Sequence, residues 1–256
     1  MAQEGARLVK QYNCQGCHLI DDFGGQLVEQ IGAAEYAPPI LNTEGAKANP
    51  DWLLSFLNNP SIIRPNLEVR MPSFHQITDS EWNSIIKYFQ HIDNEKIAYR
   101  DDLALNQQST EFKGGEMLHE LGACDNCHFY GTTFPKQDAS TWAPNLALTK
   151  ERLNPDWVKE WLRDPQTIMP GTKMPAPYLP SEDLLILDGA ELDWGTELVK
   201  MNGDTEAMLN GLRDYLWSIE GKTNIDKTIK DYFEKNGYKF GEDEEDEEDD
   251  WGDDDW

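Results

Sequence analysis

Two short stretches carry reactive side chains at a repeated spacing: Cys14-Gln15-Gly16-Cys17-His18 and Cys124-Asp125-Asn126-Cys127-His128. Two thiols three positions apart can each form a thioether to one edge of a porphyrin. The adjacent imidazole then lies under the iron as an axial ligand. C-x-x-C-H is the signature of that covalent haem attachment. The two motifs use all four cysteines of the chain, so none remains for a structural disulfide. A zinc site built from two C-x-x-C pairs would place them roughly 15–20 residues apart, whereas here more than a hundred residues intervene. A thioredoxin-like pair, or a pair of plain disulfides, would leave both histidines unexplained.

A six-coordinate haem needs a second axial ligand, and a thioether sulfur favours Fe(II). Met71 sits in a Pro-bounded loop between two predicted helices, a rigid way to present a side chain, and Met174 stands in the same register of the second copy. Both are followed by Pro. Met169, also followed by Pro, is the rival in the second copy, and His75 is a rival in the first. An isolated Met is core filler; two in register beside two attachment motifs are candidate iron ligands. His91 and His119 fall on predicted helices without a partner in the other copy and read as structural. Pro39 and Pro144 also recur in register, where a backbone carbonyl can accept from the His Nδ1–H and fix the ring. Trp52 and Trp157 are either donors to a haem propionate or plain core.

The elements that position these residues form a repeat. Gly5, Leu8, Cys14, Cys17 and His18 recur 110 positions later; Pro39, Asn49-Pro50-Asp51-Trp52 and Pro60 recur 105 later; Arg70-Met71-Pro72 matches Lys173-Met174-Pro175. Each copy opens with a short amphipathic helix that runs into its C-x-x-C-H. Asn-Pro-Asp-Trp is a helix start, with Asn as N-cap, Pro at N1 and Asp set against the dipole. Pro60 and Pro165 are expected to end those helices. In the first copy Thr78 and Glu81 form a capping box for a last helix that turns Trp82, Ile85, Ile86 and Phe89 inward. The second copy carries about twenty extra residues, 184–205, whose Leu184-Leu185-Ile186-Leu187 run predicts a packed helical element before a last helix over Met208–Ile219. Ile225, Ile229, Tyr232 and Phe233 predict one further helix, stopped by Gly237.

The 256 residues carry a formal charge of −26. Twelve acidic residues and no basic ones lie between Glu242 and Trp256, and the rest of the chain is still −14. That sign excludes a nucleic-acid binder, which needs a cationic face, and favours a partner with a basic docking surface. The acidic tail reads as disordered. The chain has no run of eighteen apolar residues, hence no transmembrane segment. Its first residues lack the basic and apolar regions of an export signal. Haem is attached to C-x-x-C-H outside the bacterial cytoplasm, so the expectation is an exported, periplasmic protein whose signal has been removed.

With its two C-x-x-C-H motifs, Pro-containing loops, Trp-bearing helices ending at Pro and Met-Pro loops, the chain resembles a two-haem, class I c-type cytochrome. The resemblance implies an all-α fold of two tandem cytochrome c domains. These are residues 1–98 and 112–222, joined by a linker at 99–111 and followed by a C-terminal helix at 223–241 and a tail at 242–256. It implies two covalent haem c groups, one on Cys14, Cys17, His18 and Met71, the other on Cys124, Cys127, His128 and Met174. It also implies single-electron transfer between redox proteins, as a soluble carrier or a docked subunit of a membrane respiratory complex. The rival is a dihaem enzyme of peroxidase or thiosulfate dehydrogenase type, which would need one open haem.

Overall fold

The first copy of the repeat is closed by its two end helices. Ala2–Gln11 buries Leu8 and Val9, and Asp79–Ile92 buries Trp82, Ile85, Ile86, Tyr88 and Phe89. The structure, a computed structural model, describes residues 2–33, 36–64, 70–93 and 103–237. The capping box at Thr78 is formed in both directions, with Glu81 reaching back to the Thr78 N–H. The two helices cross so closely at Gly5 that a Cβ there would lie 2.1 Å from the Ser84 carbonyl oxygen. Between them runs Pro50–Asn58, capped by Asn49, which accepts from Asp51 N at 3.0 Å. Leu53 and Leu57 complete this core.

The second half is built the same way. Thr110–Leu121 and Thr205–Ser218 pack against each other, and a Cβ on Gly115 would fall 2.0 Å from the Gly211 oxygen. Pro155–Arg163 is capped by Asn154 and packs its buried Trp157, Val158 and Leu162 into the second core. The one small sheet among the described residues is a hairpin pairing Leu19–Ile20 with Phe23–Gly24; the described residues are otherwise mostly helix and loop, in keeping with the helical class expected from the sequence.

Several expected boundaries shift for local reasons. Helix Pro155–Arg163 ends before Pro165 as expected, but that proline then occupies N1 of another turn, Pro165–Ile168, capped by Asp164. The last helix of the second half starts at Thr205, three residues early, because Asp204 caps it. The extra segment is helical, as Glu182–Leu185, Ala190–Trp194 and Thr196–Met201. Its apolar run straddles a helix end, so Leu185 is buried while Ile186 and Leu187 are 65% and 59% exposed. Within the expected linker, Leu103 and Leu105 pack against the second core, and helix begins at Thr110. The tail from 242 lies outside the described residues.

The halves meet through a reciprocal contact. Ala48 and Leu153 form an antiparallel bridge. Asn49 N donates to the Arg152 oxygen at 2.8 Å, and Asn154 N donates to the Lys47 oxygen at 2.7 Å. The Asn49 amide reaches the Glu151 oxygen and the Asn154 amide reaches the Ala46 oxygen, each at 3.1 Å. Both helix-capping asparagines therefore also join the halves.

Candidate functional site

Each attachment motif begins where a helix is forced to stop. Asn13 and Ala123 both take left-handed backbone, with φ of 55° and 47°, a turn that ends the preceding helix and redirects the chain. Cys14–Cys17 then forms one helical turn and Cys124–Asn126 one 3₁₀ turn. In each, the His N–H donates back to the first cysteine's oxygen at 3.0 Å. All four cysteines are free thiols. Burial pushes Cys14 up and Cys124 to about 11, so both are protonated at neutral pH and are not thiolate redox groups.

The residue after each His ties the motif to its proline loop. Leu41 N donates to the Leu19 oxygen at 2.9 Å, and Leu146 N donates to the Phe129 oxygen at 2.8 Å. This places a proline carbonyl against each imidazole: His18 Nδ1 lies 2.8 Å from the Pro39 oxygen, and His128 Nδ1 lies 2.7 Å from the Pro144 oxygen. A carbonyl can only accept, so Nδ1 carries the proton and the Nε2 lone pair is left to bind a metal. Burial pushes both imidazoles below their ordinary value, against the pull of the carbonyls. Both imidazoles are neutral at pH 7.

Met71 is half-buried against the first core and Met174 against the second. Trp161 Nε1–H donates to Met174 Sδ at 2.9 Å. Met169 caps the short Pro165–Ile168 turn, and His75 is exposed. His91 lies in the last turn of its helix. His119 is buried, with Nε2 against the Tyr130 hydroxyl. Trp52 stacks on Phe56 at 5.1 Å and Trp157 on Trp161 at 5.3 Å, each nearly parallel.

Three enclosed donors have no hydrogen-bond partner among the described residues: Trp82 Nε1, Trp157 Nε1 and Arg152 Nε. Orphaned buried donors are costly unless something accepts from them. With two imidazoles offering Nε2 and two pairs of unbridged thiols, the residues fit an iron porphyrin in each half.

Residues 1–89 match the family described as cytochrome c oxidase, cbb3-type, subunit III. This stretch is similar to a c-type cytochrome domain. The chain is also similar to cytochrome c oxidase subunit 2 of Bacillus subtilis (strain 168), 38% identical over 74 residues. That stretch is 26% of this chain and spans only about a fifth (21%) of the relative's length. No solved structure matches. A cytochrome c domain holds covalent haem c and serves haem-based electron transfer, and its family accounts for the Cys14–His18 motif within the matched residues. No helix among the described residues is long and apolar enough to cross a membrane.

Sequence reasoning passed over Glu44, Lys47, Arg152 and Trp161. The signal for two of them was present: Lys47 and Arg152 each stand two residues before a capping asparagine, in the same register as the motifs. Trp161 lies on a helix packed against the second core, and its place in the sequence does not reveal its bond to Met174.

Proposed function

We propose that the chain is a dihaem c-type cytochrome that passes single electrons between redox proteins. The observation that carries this reading is the imidazole–carbonyl bond made in both halves, 2.8 Å at His18 and 2.7 Å at His128, each beside its own free C-x-x-C pair. Cys14 and Cys17 would attach the first haem and Cys124 and Cys127 the second; His18 and Met71 would hold one iron, His128 and Met174 the other. When bound, each haem supplies a one-electron Fe(III)/Fe(II) couple. The chain fixes each imidazole's tautomer through a proline carbonyl, keeps water from the ring with the two helical cores, and donates from buried Trp and Arg nitrogens. Met174, packed on the second core and held by Trp161, is the better ligand than Met169.

The domains are residues 1–98 and 112–222. The protein works outside the cytoplasm, as a carrier or as the docked subunit of a respiratory complex, and its acidic surface meets partners with a basic face. It supplies no catalytic residues of its own.

Mass spectrometry of the denatured protein and the pyridine haemochrome spectrum should give two covalent haems per chain. Carbon monoxide should leave the ferrous spectrum unchanged. One haem per chain would sink the dihaem reading, and ready carbon monoxide binding at either iron would favour the enzyme with an open site.

A further inference from the structure

Where the halves meet, two cations sit on the wrong side. The Arg152 guanidinium, from the second half, lies 5.3 Å from the Trp52 ring centre in the first. The Lys47 ammonium, from the first half, lies 5.9 Å from the Trp157 ring centre in the second. The backbone bonds of the reciprocal contact place them there, since the Lys47 and Arg152 oxygens are the acceptors from Asn154 and Asn49.

Among the described residues, one carboxylate answers these charges. Glu44 is buried and its Oε2 lies 2.5 Å from Lys47 Nζ. Although its own burial works to raise it, Lys47 and Arg152 together hold Glu44 below the ordinary carboxylate value. Arg152 Nε and Trp157 Nε1 remain without a partner among the described residues. A surplus of buried positive charge is costly unless an anion joins it. Among the described residues, Glu44 is the carboxylate that acts on both cations. Glu44, Lys47 and Arg64 are all close enough to His18 to act on its charge, so the cluster borders the first attachment motif.

We propose that Arg152 and Lys47 are exchanged anchors for haem carboxylates: Arg152 of the second half binds a carboxylate of the haem held by the first, and Lys47 of the first half binds one of the haem held by the second. This rests on the dihaem reading above. A haem edge carries two carboxylates, the anion class that two cations and orphaned N–H donors would take. Each half then sets the charge around the other half's iron. A cation beside a haem favours the extra electron of the reduced state, so its removal lowers the potential. Lys47 and Arg152 are positioning residues, acting on the iron through the porphyrin.

The test uses purified holo-protein: wild type, Arg152→Gln, Arg152→Lys, Lys47→Met and, to mark the first haem, Met71→His. Haem content is measured first, then the two potentials by visible spectroscopy, with urea midpoints alongside. Arg152→Gln should lower the potential that Met71→His also lowers, and Lys47→Met should lower the other one. Each drop should approach tenfold in the ratio of reduced to oxidised haem, about 59 mV for one electron. Arg152→Lys keeps the charge and should keep the potential even if stability falls. Unchanged potentials in both charge-removing variants, or both variants moving the same haem, would overturn the exchange while leaving the dihaem reading intact. Fewer than two haems in wild type would instead overturn that reading.

Discussion

Trp161 Nε1 donates to Met174 Sδ at 2.9 Å, and the residue in the same register of the first half is Phe56, which has no donor. A hydrogen bond to a thioether draws electron density from the sulfur and makes it a weaker donor to Fe(III). The two methionines are therefore unequal although their loops match. On the dihaem reading, with Met174 a ligand of the second haem, Trp161→Phe should lower that haem's potential and leave the first in place. With a net hydrogen bond worth about 1 kcal/mol, the expected change is roughly fivefold in the reduced-to-oxidised ratio. A potentiometric titration of the variant checks it, and a shift in the first haem alone would contradict it.

The helix crossing at Gly115 leaves no room for a side chain, since a Cβ there would lie 2.0 Å from the Gly211 oxygen. Gly115→Ala must push two helix backbones apart. The expected loss is about 1–3 kcal/mol, the usual range for overpacking, read from the urea midpoint of the holo-protein. An alanine tolerated without loss would mean that the helices are not in contact at this point.

His119 gives stability a pH slope. Burial pushes it down to about 4 from the ordinary 6.5. Above pH 6.5 it is neutral in folded and unfolded chains alike, so it contributes no slope there. Between about 6.5 and about 4 the unfolded chain binds a proton that the folded one refuses. Stability should therefore fall as pH drops through that window, by up to about 1.4 kcal/mol per unit. His119→Gln should flatten this part of the profile, measured by denaturant unfolding at stepped pH.

Asn154 has two roles that can be separated. Its Oδ1 caps its own helix by accepting from Asp156 N, and its Nδ2 crosses to the Ala46 oxygen. Asn154→Ser keeps a cap and drops the crossing bond; Asn154→Ala drops both. Ser should cost about 1 kcal/mol and Ala about 1 kcal/mol more. Thermal scans should show the first variant loosening the contact between halves while the Pro155–Arg163 helix keeps its amide protection.

Much of this fold could be read before the structure, for reasons that are local. Asn49-Pro50-Asp51 and Thr78–Glu81 fix helix starts through side chains within a few residues of one another, so both appear where the sequence puts them. The Leu184–Leu187 run pointed to a packed helical element, which is there, but hydropathy does not say where a helix turn ends, and the stop after Leu185 leaves Ile186 and Leu187 outside. The Lys47 and Arg152 pair was illegible for a different cause. Each faces a tryptophan a hundred or more residues away in sequence, and the pairing of Ala48 with Leu153 brings them there. The Trp161 bond to Met174 likewise depends on how a loop folds back over a helix.

The Ala48–Leu153 contact, with each bond answered by its counterpart, has the form of an isologous dimer interface in which one patch meets its own likeness. Here both copies of the patch belong to one chain. Tethering makes the encounter intramolecular, which raises the effective concentration of one patch at the other. A contact made of a few backbone bonds and two cations can then persist where separate subunits would fall apart. Cut between the halves, the pieces should still recognise each other, weakly and in the same orientation.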